Sequence, residues 1–221
     1  MPAGQLKCTG WSKHTTTFPD PEVSDAILVI CQLGAQIGYE GTRDWPILNP
    51  WLATAMEGHE TVTKDLLRES GKGRFEKYSH FKLLPAGFTG SPLGLTDKAD
   101  GSKRRIHHLS YSPDEHTSIN NYIPENYSPI EYSTISETIA AIQQYASGCS
   151  SVKRDFKSAF RNIPVSPMGS PLLGFEWQGK YFAERYRLFG LRTTPYLFNL
   201  FTDVFHWILA NNLKSQVCRA R

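Results

Sequence analysis

Apolar residues near the start of the chain recur at the spacing of an α-helix. Residues 1–19 precede this pattern and are polar and aperiodic, which predicts a flexible tail. Asp20 and Pro21 then form a helix start, because an aspartate caps free N–H groups and a proline suits the first turn. We predict that this helix ends at Gly38. Its apolar positions are Val23, Ile27, Ile30 and Ile37.

A second helical pattern begins with the same kind of signal at Asn49-Pro50 and runs to about Gly71. Gly58 lies inside the pattern and is expected to bend the helix, since glycine weakens a helix interior. The apolar positions are Leu52, Ala55, Met56, Val62 and Leu66. We therefore interpret residues 20–80 as an N-terminal helical segment with a structural role.

From Phe81 onward the pattern changes to short strands separated by turns. Residues 91–95 predict a strand, residues 97–102 a turn built on Asp-Gly, and residues 103–109 the returning strand. Basic residues gather on this hairpin: Lys98, Lys103, Arg104 and Arg105. One interpretation is a solvated hairpin tip. The other is a phosphate-binding element, because Arg and Lys bind phosphate through charge-assisted hydrogen bonds.

A carboxylate at the end of a predicted strand is the central feature of the next stretch. Thr134 and Glu137 have capping-box spacing and predict a helix that ends at Gly148 and leads into strand 152–155. Asp155 ends that strand among basic residues: Lys153, Arg154, Lys157 and Arg161. This setting suits Mg²⁺ and a polyanionic substrate, because Mg²⁺ takes few carboxylates and completes its shell with water and phosphate. The structural alternative is an aspartate that caps the following turn.

A second hairpin and a glycine turn precede the most strongly patterned helix. Alternating apolar residues predict a hairpin over about residues 172–187 that turns at Gln178-Gly179. Thr194-Pro195 begins a helix with its apolar face at Leu197, Phe201, Val204, Phe205 and Ile208. Between them lies Phe189-Gly190. A glycine there lets the backbone approach a ligand closely, and a following helix N-terminus favours an anion.

Composition narrows the class of protein only slightly. Apolar residues make up 40% and charged residues 20% of the chain, as in ordinary globular proteins, and the net charge of +3 is too small to indicate nucleic-acid binding by itself. The four cysteines lie far apart without a Cys-x-x-Cys motif, which indicates neither a zinc site nor a disulfide framework. No stretch has the pattern of a secretory signal or a membrane span, so we expect an intracellular protein of the cytoplasm or nucleus.

Taken in order, these segments resemble the reverse-transcriptase domain of retrotransposons. The resemblance covers about residues 85 to 210, and residues 20–80 are similar, less specifically, to segments that precede this domain. It rests on residues 91–95 with Lys98, residues 103–110, Ser118-Ile119-Asn120, residues 153–165, residues 172–182 and residues 188–199. It implies an α+β fold with the fingers and a partial palm of a right-hand polymerase, its incomplete antiparallel sheet packed on helices. Residues 81–150 would be fingers-like and residues 151–221 a partial palm, with a fingers hairpin at about 172–187.

The resemblance also implies roles for residues around the predicted carboxylate. Asp155 matches the first catalytic, metal-binding aspartate of the family. The backbone at Phe156 and Lys157 would lie against the phosphates of a bound nucleotide. Phe160 matches the position at which a bulky ring beneath the sugar rejects a 2′-OH and so selects deoxynucleotides.

The fingers residues follow by the same resemblance. Lys98 and Arg104 match the residues that fold over the triphosphate, and Arg105 would take the role of Arg104 if the register slips by one. Phe189 and Gly190 match the turn beneath the nucleotide and template. The sequence departs from the family where Lys103-Arg104 replaces the usual Lys-Trp-Arg and where His108 replaces an acidic residue.

A second pair of aspartates is the feature of the family that this sequence lacks. The family carries it in a Tyr-x-Asp-Asp-like hairpin, and no Asp-Asp occurs here. Phosphoryl transfer by two metal ions needs carboxylates from the strand that carries the first aspartate and from the hairpin that carries the aspartate pair. We therefore expect a reverse-transcriptase segment truncated before that motif, a nucleotidyltransferase fragment that is inactive alone.

Partners and cofactors follow from that interpretation. Mg²⁺, or Mn²⁺, would bind only if the missing aspartates are supplied. The expected partners are an RNA or DNA template-primer, deoxynucleoside triphosphates and the missing downstream part of a polyprotein, but no membrane. The alternative is a non-catalytic nucleic-acid-binding remnant of a retroelement that uses the basic hairpin.

Overall fold

The computed structural model describes residues 6, 8–113, 118–127, 129–130, 134–144 and 155–212. The α-helices are α1 (Cys8–Thr15), α2 (Pro21–Leu33), α3 (Ala53–Glu57), α4 (His59–Gly71), α5 (Ile135–Gln143) and α6 (Thr194–Asn212). The strands are β1 (Ile47–Leu48), β2 (Phe75–Tyr78), β3 (Thr89–Gly90), β4 (Leu93–Asp97), β5 (Lys103–His107), β6 (Gly174–Trp177) and β7 (Lys180–Glu184). Residues 152–154 of the predicted strand 152–155, the helix end at Gly148, and Cys149 and Cys218 lie outside the described residues.

A packed helix, α1, lies within the predicted tail of residues 1–19 and corrects that prediction for Cys8–Thr15. α1 lies against α2 and α6, and the Trp11 ring meets the Phe201 ring edge to face with centroids 5.1 Å apart. Most residues of α1 are polar and exposed, so its sequence carries no clear apolar period. Packing of a few side chains on distant residues, rather than local pattern, stabilises this helix.

α2 begins as predicted and ends earlier than predicted. The carboxylate of Asp20 accepts the N–H groups of Glu22 and Val23 at 3.0 and 3.1 Å. The helix stops at Leu33 because Gly34 adopts φ 80°, which favours glycine. An added Cβ at Gly34 would lie 2.6 Å from the Val165 carbonyl carbon, so close approach of the two segments also requires glycine.

The second helical region is two helices, α3 and α4, which meet at Gly58 as the sequence predicted. Its predicted start at Asn49-Pro50 was wrong, because α3 begins at Ala53. The Asn49 side chain instead donates to the Gly90 carbonyl at 3.1 Å. It thereby ties the segment to the sheet rather than capping a helix.

The main sheet is mixed, with strand order β1-β3-β6-β7-β2. β1 pairs with β3, and β3 with β6, in parallel, whereas β6-β7 and β7-β2 are antiparallel. This corrects the prediction of an incomplete antiparallel sheet, since two of the pairings are parallel. Two of its strands, β1 and β2, come from residues 20–80, where the sequence predicted helices alone.

Both predicted hairpins are present. β4 pairs with β5 as a separate two-stranded sheet, and β6 pairs with β7 around Gln178-Gly179. Among the described residues, most of the buried apolar side chains fall into three clusters. One surrounds Leu172 and Leu188, one joins α2 to α6, and one lies between α4 and the sheet.

The described helices differ in how their apolar residues are covered. Ile135, Ile139 and Ile142 on α5 are exposed, although their spacing is that of a buried helix face.

None of the helices in the described residues combines the length and apolar character needed to cross a membrane.

Candidate functional site

Phe189 and Gly190 form an exposed turn between β7 and α6 that other segments hold in place. The Phe189 side chain is exposed, while Leu188 and Leu191 on either side are buried. Gly190 has φ 85°, and its carbonyl accepts the Asn120 amide at 2.7 Å. The Asn120 side-chain oxygen accepts the Arg192 N–H at 2.9 Å. Asn120 therefore fixes both sides of the turn, a role that its place in the sequence did not reveal.

Arg104 lies over the exposed ring of Phe189. Its guanidinium carbon is 5.2 Å from the ring centroid, a cation–π contact. Arg104 is on the exposed face of β5 opposite Thr96. The hairpin therefore brings one of its basic side chains to the Phe189 turn.

Lys98 is at the far end of the same hairpin. Its side chain is exposed, and its backbone N–H donates to the Ser102 carbonyl at 2.8 Å to close the turn. Asp97 offsets the neighbouring Lys103 through an exposed ion pair of 3.0 Å. The structure thus places Lys98 on the same hairpin as Arg104 and gives no direct contact between the two.

Phe160 lies against Phe189 on the side of the Asp155 segment. Their ring centroids are 4.6 Å apart, and Phe160 also meets Phe198 of α6 at 5.5 Å. Phe156 meets Phe198 and Phe205 at 5.7 and 5.1 Å. These contacts form a row of aromatic rings along α6 that ends beneath Arg104.

Asp155 and Lys157 are exposed in an irregular segment just before this row. The next residue, Ser158, has φ 55°, an uncommon conformation for a residue other than glycine. The Asn162 amide lies 3.3 Å from the carbonyls of Lys157 and Ser158 and holds the turn together. Among the described residues, no three His, Cys, Asp or Glu side chains are grouped closely enough to hold a metal ion. Asp155 therefore contributes one exposed carboxylate to this segment, and its role as a metal ligand stays a prediction.

Arg105 occupies a different environment from Arg104. Only 2% of its side chain is exposed, and its Nε donates to Asp65 at 2.8 Å. Successive residues of a strand face opposite sides, so Arg105 points inward where Arg104 points outward. The structure does not bring Arg105 to the Phe189 turn, whereas the guanidinium of Arg104 contacts the Phe189 ring.

A buried cluster of charges lies behind the turn, centred on Glu184 at the end of β7. The Glu184 carboxylate accepts from Arg161 at 3.1 Å and lies 3.3 Å from His107 Nε2. Burial by itself raises the pKa of Glu184, but the charge of Arg161 and the hydrogen bond with His107 lower it to about 2. Burial lowers the pKa of His107 to about 4, even though its hydrogen bond to Glu184 acts in the opposite direction. At neutral pH the cluster therefore holds an ionised carboxylate and a neutral imidazole.

Arg187 is a further buried cation near the turn. Its guanidinium donates to the Gln36 carbonyl at 3.2 Å and to the Thr193 hydroxyl. Thr193 in turn donates to the Ile37 carbonyl at 3.1 Å. Burial lowers the pKa of Arg187 to about 9. These bonds join the segment before α6 to the chain that follows α2.

Comparison with known proteins gives distant structural similarity and no assignment by sequence. No protein-family model matches the chain, and no curated protein matches it. Solved structures of foamy virus protease-reverse transcriptases are similar over most of the chain. That of the complex with double-stranded DNA has a TM-score of 0.47 and 15% identity, over 96% of this chain and 37% of that one.

Two further foamy virus structures are alike to the same degree. The native Prototype Foamy Virus protease-reverse transcriptase has a TM-score of 0.48 and 17% identity, over 98% of this chain and 29% of that one. The complex with an RNA/DNA hybrid has a TM-score of 0.48 and 15% identity, over 94% of this chain and 28% of that one. The chain therefore spans well under half the length of these structures. Likeness of this degree does not assign the chain to a family.

Proposed function

We propose that the Phe189 turn binds a deoxynucleoside triphosphate and that the chain is part of an RNA-directed DNA polymerase of the reverse-transcriptase type. One observation carries this proposal. The Phe189 ring contacts both the guanidinium of Arg104 and the ring of Phe160, at centroid distances of 5.2 and 4.6 Å. Three separate stretches of sequence thereby meet in one exposed site that holds a cation, aromatic faces and a glycine turn.

Each group has a role that its chemistry supports. Arg104 is exposed and always charged, so it can leave the ring face to bind phosphate oxygens with paired hydrogen bonds. Lys98 on the same hairpin adds a second cation to the triphosphate. Phe160 offers a rigid ring against the sugar, which leaves no space for a 2′-OH. Phe189 offers a face for stacking, and Gly190 lets the backbone at the turn approach the base.

Asp155 is the metal ligand in this proposal. Its exposed carboxylate, with the backbone of Phe156 and Lys157 beside it, is suited to share Mg²⁺ or Mn²⁺ with the triphosphate. A single carboxylate does not hold two metal ions, and the sequence has no adjacent aspartates to add. We therefore propose nucleotide binding without polymerisation for these 221 residues alone. Catalysis would require carboxylates from another segment or chain.

Titration with dATP in the presence of Mg²⁺ tests the proposal. Replacing Arg104 with Ala should raise the Kd for dATP about tenfold, the loss expected for one charge-assisted contact. Arg185→Ala is the matched control, because Arg185 is also an exposed arginine and pairs with Glu76 at 3.5 Å on the main sheet. That control should stay within about twofold of the native Kd, as is usual for surface ion pairs. Absence of dATP binding by the native chain, or equal losses in both variants, would overturn the proposal.

A primer-extension arm in the same preparation tests the second half of the proposal. With an RNA template and Mg²⁺ or Mn²⁺, no nucleotide should be incorporated. Incorporation that disappears in Asp155→Ala would refute the expected inactivity while supporting the proposed role of Asp155.

The alternative is a module that binds nucleic acid without chemistry. The exposed basic hairpin and the lone carboxylate of the described site favour it. Under this alternative, Arg104→Ala would weaken binding of a primer-template and reduce its salt dependence, since phosphate contacts release counterions. Binding of free dATP would be absent, which separates the two functions.

A further inference from the structure

One buried carboxylate stands behind the proposed nucleotide site. Glu184 is fully buried on β7, and its partners come from two other elements. Arg161 reaches it from the short helix Ala159–Asn162, with its Nη2 3.1 Å from Oε1 of Glu184. Arg105 and His107 reach it from β5, at 3.5 and 3.3 Å from the same oxygen. Glu184 therefore joins β5, β7 and the Ala159–Asn162 turn through charged side chains.

Two of these partners adjoin residues of the proposed site. Arg161 follows Phe160, and Arg105 follows Arg104. Phe160 and Arg104 face the Phe189 ring, whereas the residues next to them turn inward to the carboxylate. Glu184 thus contacts Arg105 and Arg161. Each of these directly follows a residue, Arg104 or Phe160, whose side chain contacts the Phe189 ring.

We propose that Glu184 is a positioning residue that holds Arg104 and Phe160 at a fixed spacing around Phe189. The proposal rests on the proposed nucleotide-binding function. The Arg161 ion pair anchors the turn that carries Phe160, and the Arg105 and His107 contacts anchor the strand that carries Arg104. Loss of either anchor changes the distance between the Arg104 guanidinium and the Phe160 ring, the two groups that a nucleotide would contact.

Stability alone is a weak reason for such a cluster. Taking several charges out of water is costly, and well-packed apolar residues of similar volume often serve as well or better. A buried charged network whose hydrogen bonds are satisfied makes its surroundings rigid and selects one geometry among several. At Glu184 that geometry is the one in which two nucleotide-binding elements meet.

Glu69 supplies the matched control. It is also a nearly buried carboxylate, and it accepts from Lys72 at 2.7 Å and lies 3.2 Å from Arg74. Both of these partners lie close to it in sequence, at the end of α4 and just before β2. The pair of Glu69 and Arg74 therefore resembles the pair of Glu184 and Arg161 in burial and charge, but it is connected to neither Arg104 nor Phe160 by an ion pair.

The experiment compares Arg161→Met with Arg74→Met in the full chain. Arg161→Met should raise the Kd for dATP about fivefold and bring the Kd values for dATP and ATP closer together, in the range usual for network mutations. Exchange of the Ile163 amide, which donates to the Phe160 carbonyl at 3.1 Å, should accelerate. Arg74→Met should lower the melting temperature while leaving the Kd, the dATP-to-ATP ratio and the Ile163 exchange close to native.

Two further variants keep the test decisive. Arg161→Lys retains the charge and should restore most of the affinity. Glu184→Gln combined with Arg161→Met removes both charges, so no unpaired ion remains from that pair, and a folded double variant should still bind dATP weakly.

The outcomes separate this inference from the proposed function. Native affinity, nucleotide ratio and exchange in Arg161→Met would overturn the positioning role. A native chain that does not bind dATP would overturn the proposed function. In that case faster Ile163 exchange in Arg161→Met, but not in Arg74→Met, would still support the link between Glu184 and the Phe160 turn, and equal exchange would end it.

Discussion

At the scale of single residues, His107 couples the buried charges to folding stability. Burial and the nearby charge of Arg105 lower its pKa to about 4, against an ordinary value of 6.5, although its hydrogen bond to Glu184 raises it. The unfolded chain therefore takes up a proton near pH 6.5, and the folded chain stays neutral until about pH 4. A depressed histidine pKa stabilises the folded state fully above pH 6.5, and this contribution is lost as the pH falls toward 4. The lowered pKa of Glu184, about 2, adds a further loss below pH 4.5.

This loss of stability with falling pH gives a prediction for His107→Gln. Between pH 7.5 and pH 5 the free energy of unfolding of the native chain should fall by about 2 kcal/mol through His107 alone. The variant is less stable at pH 7.5 but lacks that part of the decline. Urea unfolding at several pH values measures both slopes. A variant whose slope equals the native slope would contradict the buried, neutral state of His107.

The same residues show where sequence reasoning stops. The pattern of residues 103–109 predicted a strand and a basic hairpin, and both are present. It did not decide between Arg104 and Arg105, because the inward face of β5 is set by Asp65 on α4 and Glu184 on β7. The role of Asn120 could not be predicted either, since its hydrogen bonds to Gly190 and Arg192 join positions far apart in the sequence.

At the scale of elements, local signals predicted helix starts where a side chain caps the helix. Asp20 does so for α2, and Thr134 with Glu137 forms a capping box for α5, with Thr134 Oγ1 3.2 Å from the Glu137 N–H. Strands β1 and β3 have two residues each, which is too short for an alternating pattern. The end of α2 depends on Val165 lying against Gly34, which no local pattern reveals.

The Asp20 cap leads to a prediction at this scale. Asp20→Ala should lower the free energy of unfolding by about 1 kcal/mol, because two N–H groups lose their acceptor. Asp20→Asn keeps an acceptor oxygen and should lose only a fraction of that amount. Urea unfolding of the two variants against the native chain measures the difference. Equal losses for Ala and Asn would show that charge, and not the hydrogen bonds, stabilises the start of α2.

At the scale of the whole molecule, the two ends of the described chain pack together. The cluster that joins α2 to α6 also receives Leu6, Cys8 and Trp11 from the region predicted as a tail. A cavity of about 130 Å³ lies at this junction, lined by Trp11, Phe156 and Phe201 among other residues. α1 therefore packs beside the aromatic row that leads to the Phe189 turn. The sequence could not predict this, because the contact depends on residues nearly two hundred positions away.

Trp11 makes this junction testable. Its ring is partly buried and meets Phe201 edge to face, so Trp11→Ala should lower the free energy of unfolding by about 2 kcal/mol through lost apolar burial and ring contact. Trp45→Ala is the matched control, because Trp45 is 80% exposed and its loss should stay within about 0.5 kcal/mol. Urea unfolding, followed by far-UV circular dichroism because both variants lose a tryptophan, measures the two losses. Since the Trp11 cavity is shared with Phe156, the Trp11 variant should also accelerate amide exchange in the Phe156 segment, and Trp45→Ala should not. Equal stability in the two variants would mean that α1 does not contribute to the core and that residues 1–19 behave as the tail that their sequence suggests.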